Sequence, residues 1–110
     1  PEHVAVVTRD YRYLFANTAM AGMLGMRQME IIGRSVFDLC LADGNDDWLQ
    51  DALDAAFAGR SGSFVARISA GMAKSDMRGR YAPLRAADGS VSGAILTLGE
   101  SEPVFGDVAA

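Results

Sequence analysis

The sequence predicts a single α+β domain in which five antiparallel strands form one sheet and short helices pack on one of its faces. Three observations predict this class. Two β-prone runs open the chain, and an amphipathic helix lies near its middle. In the last third, apolar residues recur at every second position, as in strands with one buried face. The length of 110 residues fits one domain.

The first third of the chain is predicted to contain two strands and two short helices. Residues 3–8 are rich in valine and predict a strand, and residues 13–16 predict its hairpin partner after a polar break. Asn17 suits the N-cap of the next helix, because its side-chain oxygen can accept hydrogen bonds from the first turn. Gly25 suits the end of that helix. Another helical turn is predicted over residues 29–32.

The clearest helix is predicted to begin at Asn45 or Asp46 and to end at Gly59. One face is apolar and consists of Leu49, Leu53, Ala56 and Phe57. Aspartates occupy the opposite face, and acidic side chains near the start of a helix interact favourably with its dipole. Such a helix packs its apolar face on a sheet and leaves the other face to solvent.

The last third is predicted to form a meander of three strands. The apolar positions of residues 64–69, 76–84 and 91–98 alternate with polar ones. Asp88-Gly89 between the last two strands is a strong hairpin signal. These strands complete the five of the predicted sheet.

Composition limits the functions that this chain can have. The formal net charge of −4 disfavours a phosphate-binding surface, so we expect no nucleic-acid partner for this domain. No apolar run reaches the roughly 20 residues that span a bilayer, so we expect no membrane contact. The single cysteine, Cys40, allows no intrachain disulfide and fits a reducing compartment. We expect a cytoplasmic domain whose parent protein can be membrane-anchored.

Several runs in sequence order resemble the PAS family. Val7 to Asn17 resembles the family's opening, in which a strand, an Asp-containing turn and a second strand lead into an Asn. Gly33 to Leu39 resembles its "Gly-Arg-Ser … Asp-Leu" segment, and Tyr81 to Gly93 resembles its last hairpin. The resemblance covers roughly residues 4–100. Leu98 to Ser101 departs from the Asp-Ile-Thr motif with which many members end.

The resemblance implies a PAS-like sensor domain over residues 1–100 and a tail or linker to an effector domain over residues 101–110. It implies a non-catalytic sensing and dimerisation domain of a bacterial signal-transduction protein, most often a sensor histidine kinase. The expected partners are a second copy, the effector domain of the same chain and a small-molecule ligand. The alternative is a ligand-free dimerisation module of a diguanylate cyclase or phosphodiesterase, a chemotaxis transducer or a transcription regulator.

The sequence does not identify a cofactor. Photosensory PAS domains carry a flavin-reactive cysteine in an Asn-Cys-Arg-Phe-Leu run, which the residues around Cys40 do not match. Heme-binding members supply a histidine from the longer helix, and the single histidine here is His3. Trp48 is open to two interpretations, ordinary packing and stacking on a flavin ring. The sequence shows no metal-ligand cluster and no nucleophile motif, so we predict no metal site and no catalytic residues.

Methionines recur every three residues from Met20 to Met29 and indicate either plain core or an adaptable apolar pocket. If a pocket is present, its predicted lining is Met20, Met23, Phe37, Leu53, Phe57, Ile68 and Tyr81. Arg78 and Arg80 are predicted to share one sheet face, with Arg67 beside them. That face is either solvated or binds an anion or a partner.

Overall fold

Eight helices and strands follow one another in the computed structural model, which describes residues 2–39, 47–70 and 73–99. They are β1 (His3–Thr8), β2 (Tyr13–Ala16), α1 (Thr18–Leu24), α2 (Gln28–Ile31), α3 (Asp47–Phe57), β3 (Gly62–Ala70), β4 (Ala73–Arg85) and β5 (Val91–Gly99). The predicted elements are confirmed, with ends that differ by a few residues. The predicted start of α3, at Asn45 or Asp46, lies outside the described residues. Within the described ranges, no helix is long and apolar enough to cross a membrane.

The five strands form one antiparallel sheet in the order β2-β1-β5-β4-β3. The first and last strands of the chain pair directly, from His3 opposite Leu98 to Thr8 opposite Gly93. This pairing joins the N-terminal hairpin to the C-terminal meander. It also places His3, near the start of the chain, beside the end of β5.

The helices cover one face of the sheet, which we call the inner face. α3 packs on β3, β4 and β5, and α1 packs on β1 and β2. The largest fully buried side chains between these layers are Ile31, Leu53, Val7 and Val36. The arrangement confirms the predicted α+β class with helices on one face.

Two local signals at the ends of α1 are confirmed. The Asn17 side-chain oxygen accepts hydrogen bonds from the Met20 N–H at 2.9 Å and from the Val4 N–H at 3.1 Å. Asn17 therefore caps α1 and also ties its start to β1. Gly25 ends the helix with φ of 71°, a left-handed conformation in which glycine has no Cβ to clash.

Pro83 lies in β4, which has partner strands on both sides only from Arg78 to Tyr81. Pairing with β3 stops at Tyr81, so Pro83 has only Ala94 of β5 opposite it. A proline has no N–H to donate, yet the pairing of β4 with β5 continues past Pro83 to Arg85 opposite Val91. The register also shifts between Leu84 and Arg85. The missing donor therefore leaves the sheet intact.

Candidate functional site

A small cavity of about 30 Å³ lies between the inner face of the sheet and helices α1 and α3. Alternate residues of β1 and β5 form its floor, because successive side chains of a strand point to opposite faces. α1 and the first turn of α3 form its walls. The lining residues are His3, Ala5, Tyr13, Met20, Met23, Leu24, Val36, Leu39, Trp48, Leu49, Phe64, Leu96 and Leu98.

Two thioether side chains close the cavity on the side of α1. Met20 is buried at 7% exposure, and Met23 is half-buried against the core. Methionine is unbranched and flexible, so it can change rotamer and fill space of irregular shape. A cavity of this size exceeds the roughly 10–15 Å³ that one water needs, and a larger occupant requires these thioethers to move.

Stacked aromatic rings form the wall between α3 and the sheet. The Trp48 and Phe64 ring centroids lie 5.2 Å apart at 23°, and Phe64 stacks in turn on Tyr81 at 6.4 Å. Gly79 makes room for this stack, since a Cβ at that position would lie 2.3 Å from Phe64 Cζ. The position of the aromatic wall therefore depends on a glycine in the neighbouring strand.

The polar atoms that border the cavity are directed at backbone carbonyls. The Tyr13 hydroxyl donates to the Leu39 carbonyl at 3.0 Å, and His3 Nδ1 lies 3.3 Å from the Leu98 carbonyl oxygen. Within the described ranges no polar or charged residue is buried. Moving a charge into such surroundings is expensive, because nothing there replaces its hydration. The cavity therefore suits an uncharged, largely apolar molecule.

The C-terminal end of α3 is held by the turn between β1 and β2. The Tyr11 ring contacts Phe37 at 5.3 Å and Phe57 at 5.6 Å, and its hydroxyl donates to the Asp54 carboxylate at 2.5 Å. This hydrogen bond to Asp54 raises the pKa of Tyr11 above its usual value. Tyr11 has φ of 63°, a left-handed conformation that is unusual for a bulky residue.

Arg9 of the same turn also contacts the C-terminal end of α3. Its Nη1 donates to the carbonyls of Phe57 and Val91, at 3.2 Å each, and its guanidinium lies 5.6 Å from the centre of the Phe57 ring. We call Arg9, Tyr11, Phe37, Asp54 and Phe57 the anchor cluster. It fixes the C-terminal end of α3 to the β1–β2 turn and to β5.

The structure distributes the predicted pocket residues over several places. Met20 and Met23 line the cavity, and Leu53 is fully buried in the middle of α3. Phe37 and Phe57 belong to the anchor cluster, and Tyr81 stacks on Phe64 behind the cavity wall. Ile68 belongs to β3, but its side chain lies outside the described part. Cys40, too, lies outside the described residues.

Sequence reasoning did not place His3, Trp48, Phe64 or the β5 residues at the cavity. The alternation in β1 and β5 predicts which of their residues face inward, but not that these two strands are neighbours. Arg78 and Arg80 share the exposed outer face of β4, as predicted, and the Arg67 side chain lies outside the described part. In the described ranges, no group of three or more His, Cys, Asp or Glu could hold a metal ion.

Comparison with known proteins identifies the family. Residues 1–100 match the family described as the PAS fold. No curated protein matches the chain. Similar solved structures include Vibrio cholerae VqmA in a ligand–DNA complex, with 16% identity and a TM-score of 0.84 over 99% of this chain and 50% of that one.

Two further structures are similar at comparable levels. A VqmA dimer without its target DNA, described as a LuxR-type receptor, has 17% identity and a TM-score of 0.84 over 93% of this chain and 48% of that one. A sensory box sensor histidine kinase from Vibrio cholerae has 14% identity and a TM-score of 0.76, over 94% of this chain and 84% of that one. The chain spans about half the length of the VqmA chains that it matches. It belongs to the PAS family, whose members are generally non-catalytic sensor modules of signalling proteins.

Proposed function

We propose that this PAS domain is a non-catalytic sensor that binds a small, uncharged, largely apolar molecule in the cavity between α1, α3 and the sheet. The observation that carries this proposal is the composition of the cavity wall. It consists of aliphatic, thioether and aromatic side chains, and its two polar groups, the Tyr13 hydroxyl and the His3 imidazole, lie within hydrogen-bond distance of backbone carbonyls. Apolar pockets with few polar groups are the usual form of small-molecule sites.

The size of the cavity determines how a ligand enters. A space of about 30 Å³ is too small for an organic molecule, so Met20 and Met23 change rotamer or α1 moves away from the sheet on binding. Leu96 and Leu98 of β5 line the same cavity, and β5 ends at Gly99, one residue before the segment 101–110. A change at the cavity therefore reaches the segment that we propose as the linker to an output domain.

For the output domain, we propose a histidine kinase first, because sensor domains of this family often regulate one. A LuxR-type DNA-binding regulator is the second candidate, and the higher TM-score of the VqmA structures favours it. PAS domains commonly dimerise, and a homodimer in the cytoplasm is part of the proposal. The charge of −4 supports a domain that does not itself contact nucleic acid, whatever its parent binds.

Thermal unfolding with two probes of similar shape tests the proposal. Toluene is uncharged. The carboxylate of benzoate would lose its hydration in the same apolar space, at a large cost in free energy. We expect toluene to raise the melting temperature in a concentration-dependent way, because a ligand that binds only the folded state stabilises it. Benzoate is expected to have no such effect. No shift with toluene, or equal shifts with both probes, would favour the alternative of a ligand-free dimerisation module.

A further inference from the structure

An open groove crosses one end of the sheet on the face opposite the inner face, which we call the outer face. Its volume is about 700 Å³, and residues of β3, β4 and β5 line it together with the start of the chain. Among its lining residues are Glu2, Ser63, Val65, Arg78, Arg80 and Thr97. We call this feature the arginine groove.

Two guanidinium groups line the arginine groove from the same strand. Arg78 and Arg80 of β4 are both exposed, whereas Met77 before them is buried under the helices at 7% exposure. Residues two positions apart on a strand point to the same face, and their Cα atoms lie about 7 Å apart. Long side chains at this spacing can direct their N–H groups at one anion between them.

Hydroxyl side chains flank Arg80 on both neighbouring strands. Ser63 of β3 and Thr97 of β5 each lie directly opposite Arg80 in the strand pairing. Because neighbouring strands are about 4.8 Å apart, these three residues form one row across the sheet. Each hydroxyl has a proton to donate. The row therefore adds two neutral donors to the charged ones.

An exposed apolar side chain borders the other arginine. Val65 of β3 lies opposite Arg78 and is 62% exposed. On the β5 side, Gly99 lies opposite Arg78 and has no side chain to cover the guanidinium. An organic group that contacts Val65 removes apolar surface from water, which favours binding. The groove therefore offers an apolar contact beside its charged groups.

The number of donors in the groove matches one class of anion best. Two guanidinium forks and two hydroxyls supply roughly six N–H and O–H donors, whereas a carboxylate has about four acceptor sites on two oxygens. A phosphate monoester has three strongly accepting oxygens and a charge of about −1.5 to −2 near neutral pH. The groove therefore suits a phosphoryl group better than a carboxylate.

The charge of the chain limits the size of the anion. The formal net charge is −4, but two arginines face a single acidic side chain, Glu2, in the lining of the groove. A long polyanion meets the whole negative surface, whereas a small anion meets mainly the charges within a Debye length of about 8 Å. The groove therefore suits a small phosphorylated molecule and not a nucleic acid.

We propose that the arginine groove binds a small organic phosphate. Its phosphoryl group lies between Arg78 and Arg80, and its organic part lies against Val65. Ser63 and Thr97 donate their hydroxyl protons to the remaining phosphoryl oxygens. The inference does not depend on a ligand in the cavity, which lies on the inner face and suits uncharged molecules.

Titration of the 110-residue chain with phenyl phosphate at constant ionic strength tests the proposal. We expect saturable NMR shifts of backbone amides that are largest in β4, between Arg78 and Arg80. Inorganic phosphate should bind a few-fold more weakly, because it makes no contact with Val65. Benzoate should bind at least about tenfold more weakly, because it has one charge and two oxygens.

Two outcomes of these titrations would overturn the proposal. Phenyl phosphate that causes no saturable shifts in β3, β4 and β5 would show that the groove is not a binding site. Benzoate that binds as tightly as phenyl phosphate would show that the groove does not select a phosphoryl group.

Charge-matched variants separate a defined site from general electrostatic attraction. Arg80→Gln should weaken phenyl phosphate binding at least about tenfold, because it removes charge-assisted hydrogen bonds. Arg80→Lys keeps the charge without the planar fork and should weaken binding a few-fold. Arg85→Gln removes the same charge from β4 outside the groove and should change the affinity less than about twofold. Equal losses in Arg80→Gln and Arg85→Gln would contradict the site.

Two further variants test the other polar side chains of the groove. Thr97→Val keeps the shape of the side chain without its hydroxyl and should weaken phenyl phosphate binding a few-fold. Glu2→Gln removes a repelling charge and should strengthen binding a few-fold. Weaker binding in Glu2→Gln, or unchanged binding in Thr97→Val, would contradict the proposed position of the phosphoryl group.

Discussion

The two ends of α3 are held in different ways. At the C-terminal end, Arg9 and Tyr11 make directional hydrogen bonds to the Phe57 carbonyl and the Asp54 carboxylate, and their side chains also contact the Phe57 ring. At the N-terminal end, Trp48 stacks on Phe64 and Leu49 faces a cavity bordered by thioethers. One end has fixed partners, whereas the other has adaptable apolar ones.

This difference indicates how a small domain can respond to a ligand without losing its fold. A helix that is fixed at one end and loosely packed at the other can change its angle about the fixed end. The unusual backbone conformation of Tyr11 supports this view, because such conformations persist only where surrounding contacts enforce them. We therefore expect changes in the anchor cluster to affect mainly stability, and changes at the thioethers that border the cavity to affect mainly binding.

The largest effect is expected from Phe57→Ala in the anchor cluster. It removes the ring that contacts Tyr11 and Arg9 and should lower the free energy of unfolding by about 2–3 kcal/mol, less than for a fully buried ring. Urea unfolding measures this change. Met29→Ala, at a side chain that is 76% exposed, is the control and should change stability by less than about 0.5 kcal/mol. Equal losses of unfolding free energy in both variants would contradict the stabilising role of the anchor cluster.

Gly79→Ala is expected to act at the N-terminal end of α3, where Trp48 stacks on Phe64. The added Cβ collides with Phe64 and should lower stability by about 1–3 kcal/mol while shifting the emission of Trp48, the single tryptophan of the chain. Gly22→Ala in α1 is the matched control, because a Cβ there meets no atom within 4 Å. That change should raise stability by about 0.5–1 kcal/mol. An unchanged Trp48 emission in Gly79→Ala would argue against the aromatic wall.

Met23→Phe should reduce binding with little change in stability. The rigid ring occupies space that the thioether can vacate, so toluene affinity is expected to fall about tenfold, or about 1.4 kcal/mol. Met29→Phe places the same ring on the exposed side of α2 and should leave the affinity unchanged. Toluene-dependent melting curves of both variants give the comparison. Equal affinity in the two would place the binding site elsewhere.

The smallest effect is expected from Tyr11→Phe, which removes the hydrogen bond to Asp54 and should cost less than about 1 kcal/mol. Because the neutral hydroxyl is the form that donates, Asp54 raises the pKa of Tyr11. The stabilisation is therefore present below the ordinary tyrosine pKa of about 10 and is lost as the pH rises through the raised value.

The stability difference between wild type and Tyr11→Phe should accordingly shrink in alkaline solution. Urea unfolding between neutral pH and the alkaline range measures it. Tyr81→Phe, whose ring stacks on Phe64 and not on α3, serves as the control. A difference that stays constant with pH would mean that the hydroxyl–carboxylate contact contributes nothing.

Local signals in the sequence were sufficient to predict the fold. Asn17 and Gly25 mark the ends of α1, and the change of apolar period from helical to alternating separates α3 from the last three strands. Each of these signals depends on residues a few positions apart. Their order along the chain, together with the PAS-like runs, was enough to predict the sheet and its helical cover.

The candidate site was harder to predict because it depends on contacts between distant residues. His3 and Leu98 meet at the cavity although 95 positions separate them. The 11 residues of α3 span about 16 Å, so its apolar face reaches two different environments. Helical spacing groups Leu49 with Phe57 on that face. It does not show that Leu49 borders the cavity and that Phe57 belongs to the anchor cluster.

The most direct test of a ligand cavity is NMR of the labelled methionine methyl groups with toluene. The chain has six methionines, and in the part of the chain that the structure describes Met20 and Met23 border the cavity. We predict that the methyl groups of Met20 and Met23 show magnetisation transfer from toluene protons, while the exposed Met29 shows none. Transfer to Met29 but not to Met20 and Met23, or transfer to none of the six, would contradict the account.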